Sequence, residues 1–261
     1  MAPRFAVIIG ALLSFPKGAP LMNLVLLDID GTLTLSYEHD QESFRRALGD
    51  VTGRPSASID LERYPYTTST GVAEDALRDL TGRAPGGDEI EAVKRRVLFH
   101  LEQMHAAAPA SFRQVPGADR FLTRLRRRGD LALAIATGCW TSEACHKLEF
   151  SGLHLDGIPM GTSDDDRDRR RVMEAAVRRA GEHYACPAFE RIVYLGDGPW
   201  DLKASRALGF AFIGIGARLR TLQEAGVERV HADYRPVEPV LASIDAALAG
   251  RTVETNPRVR S

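Results

Sequence analysis

Asp28-Ile29-Asp30-Gly31-Thr32 follows directly on the apolar run Leu24-Val25-Leu26-Leu27. Two carboxylates one residue apart at the C-terminal tip of a buried strand repel each other. At an effective dielectric near 20, two unit charges about 4 Å apart repel by roughly 4 kcal/mol. A fold that keeps such a pair must supply a bound cation or a proton. Taken alone, Asp-x-Asp-Gly is also a common polar turn at a strand end.

Two further segments repeat the arrangement. Ile192-Val193-Tyr194-Leu195 ends in Gly196-Asp197-Gly198-Pro199-Trp200-Asp201, and Leu131-Ala132-Leu133-Ala134-Ile135-Ala136 ends in Thr137-Gly138. A helix start at Thr141-Ser142-Glu143 follows the second of these. Three strands of buried type, each stopping at a small polar or acidic cluster, are the pattern of an α/β fold whose ligands bind outside the carboxyl ends of a parallel sheet.

The expected architecture is a doubly wound parallel sheet with an inserted helical cap. Strands are predicted at 23–28, 131–137, 158–160, 191–196 and 210–215, with an edge strand at 232–234. Crossover helices are predicted at 118–128, 142–151, 170–181 and 200–208. Between the first two motifs no strand-like run occurs, and helical periodicity appears at 40–48, 72–80 and 90–104, with breaks at Gly53 to Pro55 and Gly82 to Gly87. The domain reading is an N-terminal extension at 1–21, core at 22–33 and 116–250, cap at 34–115, and a mobile tail at 251–261. Tyr64-Pro65-Tyr66-Thr67-Thr68-Ser69-Thr70-Gly71, rich in hydroxyls and aromatics, reads as a loop facing the substrate.

These ordered motifs resemble the haloacid dehalogenase superfamily of phosphohydrolases, in its phosphoglycolate-phosphatase-like branch with a helical cap. Asp28-Ile29-Asp30-Gly31-Thr32 matches the first motif, Thr137-Gly138 the second and Gly196-Asp197-Gly198-Pro199-Trp200-Asp201 the fourth. The third requires one basic residue before a helix. Of the arginines in Asp164-Asp165-Asp166-Arg167-Asp168-Arg169-Arg170-Arg171, the apolar pair Val172-Met173 favours Arg169. Gly71-Val72-Ala73-Glu74 departs from the Gly-x-Thr-Asp often found in the cap, so the resemblance does not carry substrate identity.

The resemblance implies a Mg²⁺-dependent phosphatase acting on a small phosphorylated metabolite. Asp28 is implied as nucleophile and metal ligand, forming an aspartyl-phosphate, and Asp30 as general acid and base. The backbone carbonyl of Asp30 and the side chain of Asp197 would complete the protein's metal ligands, with Asp201 behind them or acting through water. Thr137, Gly138 and Arg169 would hold the phosphate. Hard oxygen ligands suit Mg²⁺, which is commonly bound by one or two carboxylates plus substrate phosphate. The alternatives are a β-phosphoglucomutase-like phosphomutase and a phosphonatase, which needs a lid lysine for a Schiff base and finds only Lys94. A non-enzymatic acidic-pocket module stands last.

A formal net charge of -1 over 261 residues provides no electrostatic footprint for nucleic acid. Cys139, Cys145 and Cys186 match neither a disulfide framework nor a zinc pattern, which points to a reducing compartment, with Cys139 a buried small hydrophobe. The apolar stretch from Phe5 to Phe15 is too short to span a membrane and lacks a good cleavage site. It reads as an upstream extension with translation from Met22 possible. A cytoplasmic protein, monomer or homodimer, without a membrane partner, is expected.

Overall fold

The computed structural model describes residues 22–250 except 62, 65 and 66. The expectations for the extension at 1–21 and the tail beyond 250 therefore lie outside the described residues, as do Pro65 and Tyr66.

Six strands form one parallel sheet: β1 (Met22–Leu27), β2 (Leu131–Ala136), β3 (Met160–Gly161), β4 (Phe189–Gly196), β5 (Ala211–Ile215) and β6 (Val230–His231), in the order β3-β2-β1-β4-β5-β6. Alternation along β1 divides its side chains between two layers. Val25 and Leu27 join Leu133, Ile135, Val193 and Leu195 on one face, under α4 (Ala118–Arg126), α5 (Thr141–Phe150) and α9 (Val237–Ala249). Leu24 and Leu26 join Ala132, Ala134 and Tyr194 on the other, against α6 (Arg169–His183) and α7 (Pro199–Leu208). Because both faces are covered, the strands read as continuous apolar runs.

Three helices are inserted after β1: α1 (Tyr37–Thr52), α2 (Ser69–Thr81) and α3 (Gly87–Ala107). Their core of Phe44, Leu48, Leu77, Val93, Val97 and Leu101 is separate from the two sheet layers. Trp140, in the turn before α5, joins it. The indole stacks on Phe44 at 5.5 Å between centroids and donates to Thr70 Oγ1 at 2.8 Å. The two connections between insertion and sheet pair with each other, Leu35 N donating to Arg113 O and Val115 N to Leu33 O.

Several expected boundaries move, each for a local reason. The segment 64–71 is not all loop: the Thr68 hydroxyl accepts from Gly71 N and starts α2 at Ser69, so the hydroxyl-rich sequence is helix-capping chemistry. The edge strand falls at Val230–His231 instead of 232–234, because Tyr234 turns under the sheet, stacks on Phe121 at 4.3 Å and bonds Pro116 O. β3 begins at Met160 because Ile158 closes a turn on Leu155. Two helices are absent from the sequence reading, α8 (Leu219–Glu224) and α9. The latter buries Val237, Val240, Ile244 and Leu248 at helical spacing and completes one layer. No helix among the described residues is long and apolar enough to cross a membrane.

Candidate active site

The carboxyl ends of β1, β2 and β4 bring Asp28, Thr137, Gly138 and Asp197 to one pocket of about 380 Å³, which Asp30 and Arg169 also line. Backbone geometry explains the glycine of the first motif. Gly31 has φ of 74°, and a β-carbon there would fall on the Asp197 carboxylate. Any other residue would push the first and fourth motifs apart. Gly138 is equally constrained, since a β-carbon would collide with Thr67 O and the Arg169 guanidinium.

Arg169 organises the acidic side of the pocket. Its guanidinium lies 2.9 Å from Asp28 Oδ1 and 2.6 Å from Asp201 Oδ1, and it donates to Tyr194 Oη at 3.2 Å. The phenol in turn donates to Ala136 O at 2.8 Å, which ties the cluster to β2. Neighbouring arginines are engaged elsewhere: Arg167 with Glu74 and Asp75, Arg170 with Asp168, and Arg171 with Glu174. Arg169 is thus the basic residue that reaches the cluster.

Carboxylate oxygens of Asp28, Asp197 and Asp201 lie within 4.8 Å of one another. Burial pushes the Asp28 carboxyl well above its ordinary range; Arg169 opposes this and the other acids add to it. Asp197 is pushed up to about 7, first by burial and then by Asp201, against the pull of Arg218 and Arg169. Crowded carboxylates removed from water are what a bound cation relieves. All donors in the trio are hard oxygens, and two of them face the pocket, so the residues fit Mg²⁺. Asp201 is wholly buried and accepts from Gly198 N at 3.1 Å, which places it behind the other two.

The Asp30 carboxylate stands apart from this trio. It accepts from Ser36 Oγ, from Cys139 Sγ at 2.8 Å and from Lys147 Nζ at 2.9 Å, and so belongs to a second cluster. The Lys147 side chain is fully buried and also bonds Asp40 at 2.6 Å and Glu143 at 2.6 Å. Burial disfavours the lysine's charge, but Asp30 and Asp40 outweigh it and hold the ammonium well above its ordinary range. Burial likewise raises Asp40, whereas Glu143, despite burial, is held at about 2 by Lys147 and by hydrogen bonds. Ser69 of α2 donates to Glu143 at 2.9 Å. The network therefore joins Asp30 to both α1 and α2 of the insertion.

Cys139 is buried, but it is not merely a small hydrophobe. Its thiol donates to Asp30 and lies 3.2 Å from Lys147, and burial together with Asp30 keeps it protonated. Lys94 lies at the junction of insertion and core, paired with Asp164, and does not line the pocket. Lys147 is nearer but enclosed, charged and triply paired, the opposite of a Schiff-base lysine.

The sequence-derived residues Asp28, Asp30, Thr137, Gly138, Arg169 and Asp197 thus meet in one pocket, with Asp201 supporting from behind. Lys147, Tyr194 and Arg218 were missed. Glu143 and Lys147 form an i,i+4 pair of the kind usually read as a solvated helix face. Tyr194 is hidden in an apolar strand. Arg218 follows β5 without a motif, yet it ion-pairs with Asp197 while its guanidinium lies 4.8 Å from the Tyr37 ring centroid and 5.0 Å from that of Trp200.

The profile of the haloacid dehalogenase-like hydrolases matches residues 22–209. Among curated proteins nothing matches. Solved structures share the fold. A hydrolase from Pseudomonas syringae superposes with TM-score 0.62 at 23% identity, covering 85% of this chain and 99% of its own. A proposed β-phosphoglucomutase from Bacteroides vulgatus gives 0.61 at 18%, covering 88% and 91%. A predicted phosphoglycolate phosphatase from Haemophilus somnus 129PT gives 0.52 at 17%, covering 86% and 100%. With the family profile spanning most of its length and the sheet carrying all four motifs to one pocket, the chain belongs to the haloacid dehalogenase-like hydrolase family.

Proposed function

We propose that this hydrolase cleaves a small phosphate monoester with Mg²⁺, through an aspartyl-phosphate on Asp28. The reading rests above all on the separation of the two motif carboxylates. Asp28 stands in the cation-seeking trio with Arg169 on one oxygen, while Asp30, two residues on, is held apart by Lys147 and Cys139. Two acids in different environments can take different roles.

Asp28 attacks phosphorus as the bond to the leaving oxygen breaks, and Asp30, carrying the proton it takes from water in the second half of each turnover, delivers it to that oxygen. Water then attacks the phosphoryl group, Asp30 takes the water's proton, and the Asp28–phosphate bond breaks to release inorganic phosphate. Arg169 orients Asp28 and balances its charge. Thr137 Oγ1 accepts from Cys139 N at 3.3 Å, which leaves its own hydroxyl proton for a phosphoryl oxygen beside the Gly138 amide. The start of α5 adds partial positive charge there. Held by Asp28, Asp197 and the Asp30 carbonyl, Mg²⁺ would neutralise the repulsion between a carboxylate and a phosphate dianion. The helices α1 to α3 act as the lid that excludes water.

The test is hydrolysis of p-nitrophenyl phosphate with Mg²⁺. EDTA and Asp28→Asn each abolish turnover, while Asp30→Asn still binds phosphate but turns over about 10²- to 10⁴-fold more slowly. An Asp28→Asn variant that is folded and fully active removes the nucleophile assignment.

A further inference from the structure

The insertion's side of the pocket differs in chemistry from the side built on the strand ends. Phe44 of α1, Leu61 and Tyr64 of the following loop, and Val72 of α2 form an apolar wall there, with Gln41 an uncharged hydrogen-bonding group beside them. The insertion also brings Asp40, Thr67, Thr68 and Ser69 to the pocket; Asp40 is paired with Lys147 at 2.6 Å, Thr68 donates to Arg167 O at 2.7 Å and Ser69 donates to Glu143 at 2.9 Å.

Charge points the same way. The pocket-lining carboxylates Asp28, Asp30, Asp40 and Asp197 face only two lining cations among the described residues, Arg169 and Arg218, and both are ion-paired. Arg218 packs against Tyr37, and Tyr37 and Phe44 stand two turns apart on α1, roughly 10 Å along its axis. An arginine released from Asp197 would thus remain at the rim near the phosphate end. The three undescribed positions in this segment are Glu62, Pro65 and Tyr66, none of them cationic. A second anionic group on the substrate would lose its water and gain no counter-charge against this wall.

We infer that, given the phosphatase reading above, the substrate is a phosphate monoester whose leaving alcohol is uncharged and carries an aromatic or branched apolar group, in preference to a phosphorylated carboxylic acid. The wall would supply specificity by excluding water from that group, and Gln41 would meet a hydroxyl or carbonyl on it. Apolar pockets discriminate modestly, by about 10- to 200-fold per methylene-sized difference.

Three alkyl esters separate the possibilities: 2-phenylethyl phosphate, glycerol 2-phosphate as an uncharged polar reference, and 2-phosphoglycolate. The expected order of kcat/KM follows that sequence, with at least about tenfold between the first and last. In Leu61→Ala, KM rises several-fold more for the phenylethyl ester than for the glycerol ester, and in Val72→Lys the preference shifts toward phosphoglycolate. A phosphoglycolate preference, or no advantage of the phenylethyl ester over the glycerol ester, overturns this inference and leaves the phosphatase reading standing. Turnover of p-nitrophenyl phosphate but of none of the three overturns this inference alone, and turnover of none of the four overturns both.

Discussion

Lys147→Met is the sharpest probe of how this site is held together. The substitution keeps much of the side chain's length and apolar stem but deletes the one ammonium that bonds Asp30 at 2.9 Å and Asp40 and Glu143 at 2.6 Å each. Removing one partner of a buried ion pair costs about 3–5 kcal/mol, because the other charge is left uncompensated. Side-chain exposure decides where the cost falls. Asp30 and Asp40 keep 18% and 20% of theirs and recover some hydration, whereas Glu143 keeps 2% and recovers almost none. Glu143 therefore dominates, and a loss of about 4 kcal/mol is expected, close to a thousandfold in the folding equilibrium. For a chain of this size that lowers the melting temperature by about 10 °C. Guanidinium and thermal unfolding of the metal-free protein at pH 7 measure it. Lys147→Met/Glu143→Gln should recover part of the loss, since the enclosed charge is gone. A single-variant loss below about 1 kcal/mol would refute the reasoning and make Lys147 an ordinary solvated helix lysine.

Two other outcomes follow from the same geometry. Arg218→Gln should bind Mg²⁺ several-fold more tightly by calorimetry, because it removes a partly exposed cation that pairs with Asp197; unchanged or weaker binding contradicts the competition. The Glu143 carboxyl lies at about 2 in the folded protein against an ordinary 4.5, so its contribution to stability is fully present above pH 4.5 and is lost as pH falls toward 2. The stability gap between the wild type and Glu143→Gln should narrow over that window. A gap independent of pH there would show that Glu143 is not held ionised.

Much of the fold is legible along the chain because burial on both faces of a parallel strand writes itself as an unbroken apolar run. β1, β2 and β4 were readable for that reason, and the small or acidic residues that end them marked the pocket. The short edge strands were harder. Two-residue pairings such as Met160–Gly161 and Val230–His231 carry no periodicity, and only their partners in the sheet define them. Likewise Ser69-Thr70-Gly71 has the composition of a loop, and its helical state follows from the cap at Thr68 and from packing against Trp140 and Ser163.

By itself the sequence determined the order of the motifs, the identity of the acidic pair and the existence of a helical insertion, since each depends on local pattern and spacing. Tertiary structure decided the environments. Only folding brings Arg169 onto Asp28 and Asp201, turns Asp30 away from the trio of Asp28, Asp197 and Asp201, and encloses Lys147 among three carboxylates. The physical reason is that a carboxylate's chemistry is set by the water it loses and the charges it meets, and both are supplied by residues distant in the chain.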